Sequence, residues 1–406
     1  MTADAPAPSD APSDAVTALP VDDAATPPPG PVVVVGTGLI GTSVALVLVA
    51  AGVAVRLADA DPVALAGAVA RAAGTPETAD HDQHDADVVL VVVAVPPRSV
   101  AAVVTERLVR HPGAVVTDVS SVKALPLRML LAGPVALDRY VGSHPMAGSE
   151  RSGPGAARAD LFAGRPWAVT PHPQSRPSAV AAVHRLARLS GAVPVTLDAQ
   201  DHDEAVAAVS HLPHVAAAVV AGSLASASGS TLALTGAGLR DVTRIAAGSP
   251  ALWTQILVAN ARPVADGVRG LREGLTEFLE ALEALEAGGG TGGDGTGGDG
   301  AVHRLGALLQ RGVDGTARLP GRHGAGPERF GMLGVVIDDR PGQLARLFAA
   351  VHAVGVDIAE VRLDHRAGQA VGQVELAVDP VAVSRLSTAL AAAGWTVHPG
   401  GDPGAD

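Results

Sequence analysis

From residue 31 the chain is built of short β-branched runs separated by Ala/Leu-rich stretches. Residues 32–35 are four valines, and residues 54–58, 86–95 (with the run VVLVVVAV) and 114–117 repeat the theme. Runs apolar on both faces, alternating with helical segments such as 41–51, are what a parallel sheet covered on both sides demands. Segments 165–170 and 192–197 extend that sheet at its far edge. The stretch 32–57 is apolar enough to suggest a membrane span, but four interior glycines and its periodicity resolve it into strand, turn, helix and strand. Beyond about residue 200 the strands stop. Residues 205–227 read as helix, with Pro213 kinking it or starting a second one, and helices follow over 252–268 and 271–287. The last of these places Leu271, Leu275, Phe278, Leu279, Leu282 and Leu285 on one stripe, with solvated glutamates opposite.

Residues 288–300, GGGTGGDGTGGDG, read as a flexible spacer, followed by a short helix over 301–310. The final seventy residues start afresh: strand 331–337, helix 342–354, strands 357–365 and 372–378, helix 381–393, strand 396–398. That β-α-β-β-α-β order is ferredoxin-like. The expected division is a disordered tail over 1–29, a doubly wound, mostly parallel α/β Rossmann domain over 30–200, an all-helical domain over 201–287, a linker with a short helix over 288–327, and a small α+β domain over 328–400.

Composition narrows the function. A length of 406 residues suits two or three domains, and a net charge of −12 lacks the basic footprint that nucleic-acid binding needs. Without cysteine there is no disulfide scaffold, thiolate metal site or cysteine nucleophile, which suits a reducing compartment. Hydrophobic residues make up 48%, yet only 4 Phe, 3 Trp and 1 Tyr are aromatic, so the core is built from small aliphatic side chains. The first thirty residues have neither a basic start nor an apolar run, so no secretory signal is read there. The expectation is a soluble, cytoplasmic protein with neither membrane nor nucleic acid as partner.

The clearest motif is Gly36-Thr-Gly38-Leu39-Ile40-Gly41, which follows the valine strand and opens a helix. In that context the glycines permit a tight turn, close approach of a pyrophosphate and close helix–strand packing, and the helix N-terminus meets the phosphate charge. Asp59, 18 positions after Gly41 at the end of the second strand, suits the ribose hydroxyls of an adenosine. No basic residue follows immediately to receive a 2′-phosphate, so NAD is expected over NADP. Asp118-Val-Ser120-Ser121-Val-Lys123 and Gly142-Ser143-His144-Pro145 should lie at the carboxyl ends of strands, where ligands of open α/β sheets bind. His144, between a strand end and a proline-fixed turn, suits a general base. Asp201-His202-Asp203-Glu204 and Ser210-His211-Leu-Pro213-His214 raise a metal site, but two histidines three apart with a proline between them are poor ligands, so none is expected. Arg240 and Arg244, flanking Asp241, offer an arginine for bidentate recognition of an anionic substrate, or else a surface ion pair.

Together, GTGLIG, DVSSVK, GSHPMAGSERSG, SHLPH and RDVTRIA, with Trp253 nine positions after Arg244, resemble the prephenate dehydrogenase (cyclohexadienyl dehydrogenase) family over residues 32–280. The resemblance implies a Rossmann domain followed by a helical domain that forms a homodimer, with the site in the cleft between them. It implies NAD+-dependent oxidative decarboxylation of prephenate to 4-hydroxyphenylpyruvate, or of arogenate as the close rival; a non-catalytic sensor of NAD and amino acids is the remoter alternative. His144 would be the base, and Ser121 beside it would orient it or the ring hydroxyl. Arg244 would hold a substrate carboxylate, Ser210 and His214 would be polar pocket residues, Asp241 would be contributed across the dimer, and Trp253 would form a wall. Lys123 takes a cofactor-side or structural role. Ala237 departs from the family pattern, which leads us to expect glycine there. The tail, with Asp338-Asp339-Arg340-Pro341-Gly342-Gln343-Leu344, resembles an ACT domain. That implies an aromatic amino acid, tyrosine first, as effector near Asp339, Pro341, Gly342 and Leu344.

Overall fold

The computed structural model describes residues 26–78, 86–148, 151–288, 296–319, 330–338, 340–365 and 371–399. The first domain runs β1 (Val32–Val35), α1 (Leu39–Ala50), β2 (Val55–Ala58), α2 (Pro62–Ala70), β3 (Thr75–Pro76), β4 (Leu90–Val93), α3 (Val100–Arg110), β5 (Val115–Asp118), α4 (Ala124–Leu131), β6 (Tyr140–Pro145), β7 (Pro166–Thr170), α5 (Pro177–Leu189) and β8 (Val193–Thr196). These strands form one sheet in the order β3-β2-β1-β4-β5-β6-β7-β8. Pairing is parallel except between β6 and β7.

Period-two alternation explains why the valine runs are buried on both faces. Val32 and Val34 pack with Val44 and Leu48 of α1, whereas Val33 and Val35 pack with Val100 and Val104 of α3. The strand order reverses between β1 and β4, which opens a crevice at their carboxyl ends. The two edge segments join the sheet as expected, as β7 and β8. The buried run expected over 86–95 pairs as strand only at Leu90–Val93. β6 was not foreseen: YVGSHP carries Gly, Ser, His and Pro, which strand patterns seldom favour. Neighbours on both sides hold it in place.

The helical part begins at α6 (Ala199–Val206), six residues before the expected start. Asp198 caps it, accepting from the N–H groups of Gln200 at 2.7 Å and Asp201 at 2.8 Å. A π-helical turn, Ala207–His211, leads into α7 (Leu212–Ser223). Pro213 has no N–H to donate to the preceding turn, and the widened turn absorbs that loss within one continuous helix. By length and hydropathy this helix, Ala199–Ser226, is the one candidate span among the described residues. It nevertheless carries the buried polar side chains His202, Asp203, His211 and His214. Next come α8 (Gly229–Leu232), α9 (Ala237–Arg244), α10 (Pro250–Ala259) and α11 (Ala261–Gly288). Ala237 is the first residue of α9 and has no left-handed backbone, so the departure from glycine costs nothing. Leu275, Leu279 and Leu282 of the stripe on α11 are exposed in the single chain.

The chain divides into two compact units, Met1–Glu273 and Gly274–Asp406, so the boundary falls inside α11. In the second unit α12 (Thr296–Thr316) is twice the expected length and begins inside the Gly-rich stretch. Its last turns are held by Gln310 bonding to Asp314 at 2.9 Å and by Arg311 pairing with Glu277. Residues 1–25 of the expected tail and 289–295 of the spacer lie outside the described residues. Then follow β9 (Gly331–Asp338), α13 (Gln343–Val354), β10 (Ile358–His365), β11 (Val371–Val378), α14 (Pro380–Ala392) and β12 (Thr396–Pro399). The four strands pair antiparallel in the order β10-β11-β9-β12 over a core that includes Val335, Leu347, Leu376 and Leu386.

Candidate active site

The glycine loop joins β1 to α1, and each glycine has a distinct reason. Gly36 has φ +95°, and a Cβ there would lie 2.4 Å from the Ala94 carbonyl oxygen. A Cβ at Gly41 would lie 1.9 Å from the Gly36 carbonyl oxygen. At Gly38 a Cβ would meet nothing within 4 Å. The first and third glycines therefore serve packing, and the second leaves its face open to a ligand. Leu39, Ile40 and Gly41 form the first turn of α1, whose N–H groups have no partner within the helix. Asp59, directly after β2, accepts from the Thr37 N–H at 2.5 Å and the Thr37 hydroxyl at 2.7 Å, so its carboxylate lies against the loop. These residues fit a dinucleotide.

Asp118 closes β5 and anchors the next segment. Its carboxylate pairs with the buried Lys123 and accepts from the Tyr140 hydroxyl at 2.7 Å and the Ser120 N–H at 3.0 Å. Lys123 also donates to the Ser143 carbonyl at 2.7 Å, which fixes the backbone next to His144. The only lysine of the chain is thus a structural strut between β5 and β6. Burial pushes its pKa down, opposed by Asp118; burial, then Asp118, pushes the Tyr140 phenol well up.

His144 lies in β6 itself, not in a turn after it, one residue from the strand's end. Its Nδ1 is 3.0 Å from Nε2 of His202, and Nδ1 of His202 is 2.8 Å from the Asp203 carboxylate. Asp203 also accepts from the backbone N–H groups of Lys123 at 2.8 Å and Ala124 at 2.9 Å, which caps α4. Desolvation holds the His144 pKa well below the usual histidine range, and His202, Lys123 and His211 add to the effect.

The network continues away from the sheet. The Asn260 amide donates to the Asp203 carbonyl at 2.7 Å and lies 3.1 Å from Nδ1 of His211. His211 meets the Trp253 ring edge-on at 6.0 Å, and His214 stacks on Trp253 at 3.5 Å. Gly248 makes room for this stack, since a Cβ there would lie 2.5 Å from the indole nitrogen. The pKa of His211 is lowered to about 4 by burial, with His202 and His214 adding to the shift and Asp203 opposing it.

The structure therefore joins His144 to the His214–Trp253 stack through His202, Asp203, Asn260 and His211. Ser121 is half-buried and makes no hydrogen bond among the described residues, to His144 or to any other. Ser210 is half-buried in the π-helical turn. Asp241 and Arg244 are exposed on α9, which packs against α7, and neither has an ion pair among the described residues. Among the described residues no three His, Asp or Glu side chains converge as a metal would require. In the sequence His202 and Asp203 stand out only as metal ligands, and no motif marks Asn260 or Tyr140. In the second unit Gly342, with φ +88°, precedes α13, and Pro341 is exposed and Leu344 half-buried beside it. Asp339 lies outside the described residues.

Two family models match: the prephenate dehydrogenase nucleotide-binding domain over residues 44–196 and the prephenate dehydrogenase dimerization domain over residues 198–287. A probable prephenate dehydrogenase of Streptomyces niveus is 38% identical over 90% of this chain and 99% of its own length. That share exceeds everything up to residue 287, so the likeness continues into the second unit. Among solved structures, prephenate dehydrogenase from A. aeolicus in complex with hydroxyphenyl propionate and NAD+ is similar, with a TM-score of 0.60 and 26% identity over 70% of this chain and 98% of that one. Synechocystis arogenate dehydrogenase is also similar, with a TM-score of 0.54 and 26% identity over the same shares. With a near full-length relative, both domain models and a loop built for a dinucleotide, the chain belongs to the prephenate dehydrogenase family of NAD-dependent oxidoreductases.

Proposed function

We propose that this protein oxidises prephenate with NAD+ to 4-hydroxyphenylpyruvate and CO2, a step of tyrosine biosynthesis. The observation that carries the reading is His144, fixed on a strand end beside the dinucleotide half of the sheet and kept neutral by burial. Gly36, Gly38, Leu39, Ile40, Gly41 and Asp59 hold the cofactor, and bound NAD+ supplies the two-electron acceptor. His144 takes the proton of the ring hydroxyl as carbonyl character develops on that carbon. Loss of the ring carboxylate as CO2 then restores aromaticity. Prephenate is a dianion and the product a monoanion, so no net proton is released, and the one lent to His144 returns to the phenolate oxygen. Arg244, without an ion pair among the described residues, suits a substrate carboxylate. Ser121 orients the hydroxyl, Ser210 and His214 line the pocket, and Trp253 forms its wall.

A homodimer completes the molecule. The exposed leucines of α11 support this, as does the exposed Asp241, assigned to the partner's site. The β-α-β-β-α-β unit suits an ACT-type module that binds tyrosine at the turn of Pro341, Gly342 and Leu344, and the sequence motif adds Asp339 to that set. The absence of cysteine suits the cytoplasm. Likeness to an arogenate dehydrogenase favours arogenate as the second reading.

NADH absorbance with prephenate and arogenate, each with NAD+ and NADP+, tests the assignment. Turnover of prephenate with NAD+ is the expected result, and turnover of arogenate alone would transfer the activity to the rival. His144→Asn should lose most turnover while still binding NAD+. Titration calorimetry with tyrosine tests the regulatory part, which falls if no heat is seen.

A further inference from the structure

We propose that His202 and Asp203 are positioning residues for His144, holding its ring as the Nδ1–H tautomer so that Nε2 is the atom that takes the substrate proton. This rests on the dehydrogenase reading above and deepens it. The argument follows the hydrogen bonds from the carboxylate outward. The Asp203 carboxylate accepts the N–H groups of Lys123 and Ala124 at the N-terminus of α4, where negative charge is favoured. An acceptor-only carboxylate 2.8 Å from Nδ1 of His202 requires that nitrogen to carry the proton. In the neutral ring Nε2 of His202 is then an acceptor. At 3.0 Å it requires the proton on Nδ1 of His144, which leaves Nε2 of His144 with a free lone pair.

The same chain accommodates the proton once taken. Protonation at Nε2 makes His144 an imidazolium whose Nδ1–H already points at His202, and that ring is polarised by Asp203. The Asp203 carboxylate lies on the His202 side of the pair. Burial first, then His202, Lys123 and His211, disfavours a positive charge on His144, while Asp118 is occupied by Lys123 and Tyr140. Passing the Nδ1 proton to Nε2 of His202 leaves His144 neutral with its proton on Nε2 and an imidazolium beside a carboxylate. Return of that proton restores the first state, as the absence of net proton release requires. His202 and Asp203 are 1% and 2% exposed, so water does not supply these bonds instead.

The test reads the tautomer directly. Long-range 1H–15N correlation on 15N-histidine enzyme with NAD+ bound, assigned through His144→Asn, should give His144 as the Nδ1–H form. The Nε2–H form in the wild type overturns the proposal, whatever any variant does. His202→Leu removes the acceptor and should lower kcat about 100-fold with KM within about threefold and NAD+ affinity unchanged. His202→Gln, whose amide oxygen can accept from Nδ1–H, should recover at least about tenfold of that loss. Unchanged kcat in His202→Leu, or equal loss in both variants, overturns the proposal. Should neither prephenate nor arogenate turn over, the functional reading fails while the tautomer measurement still decides this one.

Discussion

The glycine loop allows cofactor binding and folding to be separated by two single methyl groups, one added at Gly38 and one at Gly41. Gly38→Ala adds a Cβ to a residue at φ −71°, ψ −164°, an extended conformation open to alanine, and the new methyl meets nothing within 4 Å. Stability should therefore stay within about 0.5 kcal/mol of the parent. The methyl does occupy the open face that a pyrophosphate must approach, so NAD+ should bind about 10–100-fold more weakly, or about 1.4–2.8 kcal/mol. Gly41→Ala places its methyl 1.9 Å from the Gly36 carbonyl oxygen and 3.0 Å from the Ala94 Cβ. That overlap involves backbone, which cannot rotate away, and should cost about 3 kcal/mol and roughly 6–12 °C in Tm. Thermal melts and NAD+ titration calorimetry on both variants make the comparison. A Gly38→Ala protein that melts early yet binds NAD+ normally would refute the division of labour, and so would a Gly41→Ala protein as stable as its parent.

Replacing Lys123 by Met leaves Asp118 buried with Tyr140 as its remaining side-chain donor and should destabilise by about 3–5 kcal/mol, read by denaturant unfolding. Adding Asp118→Leu should restore part of that loss, because both charges are then gone. Asp59→Ala should raise the KM for NAD+ and narrow its preference over NADP+ by about tenfold or more, measured from initial rates. His211, lowered to about 4, and His144, lowered well below 6.5, are neutral when folded but take protons more readily when unfolded. Their contribution is complete above the unfolded value of about 6.5 and is lost as pH falls toward about 4, so Tm should drop across that window. The acid limb of kcat/KM, which reports the free enzyme, should likewise lie below 6.5.

The parallel half of the sheet was legible because burial on both faces leaves a local signature. Four valines at 32–35, buried on both faces, fit a central strand, and Gly36 and Gly41 mark the turn by steric need. β6 left no such trace. Its Gly142 meets the Thr170 hydroxyl within 2.6 Å of where a Cβ would lie, so close approach, not β propensity, chose the residue. α12 exceeds its expected length for a related reason: its glycines argue for coil locally, whereas its last turns are held by Arg311 reaching Glu277, 34 positions away. In both places a partner distant in sequence overrode the local preference.

The site divides along the same line. Loop glycines, Asp59 and His144 carry their chemistry in residue type and spacing, and the sequence offered them directly. The residues around the base do not. His202 and Asp203 sit in DHDE, a string that reads as an exposed, acidic first turn of a helix, and Asp201 and Glu204 are indeed exposed. Only the packing of α6 against the start of α4 turns the middle pair inward, where Asp203 meets two backbone N–H groups and His202 meets His144. Histidine and aspartate buried at 1% and 2% exposure are costly unless every polar atom has a partner, and here the partners form a directed chain ending at the base. That cost argues for a use of the pair beyond helix capping. Asp203 alone would cap α4, and an apolar neighbour in place of His202 would pack at less expense.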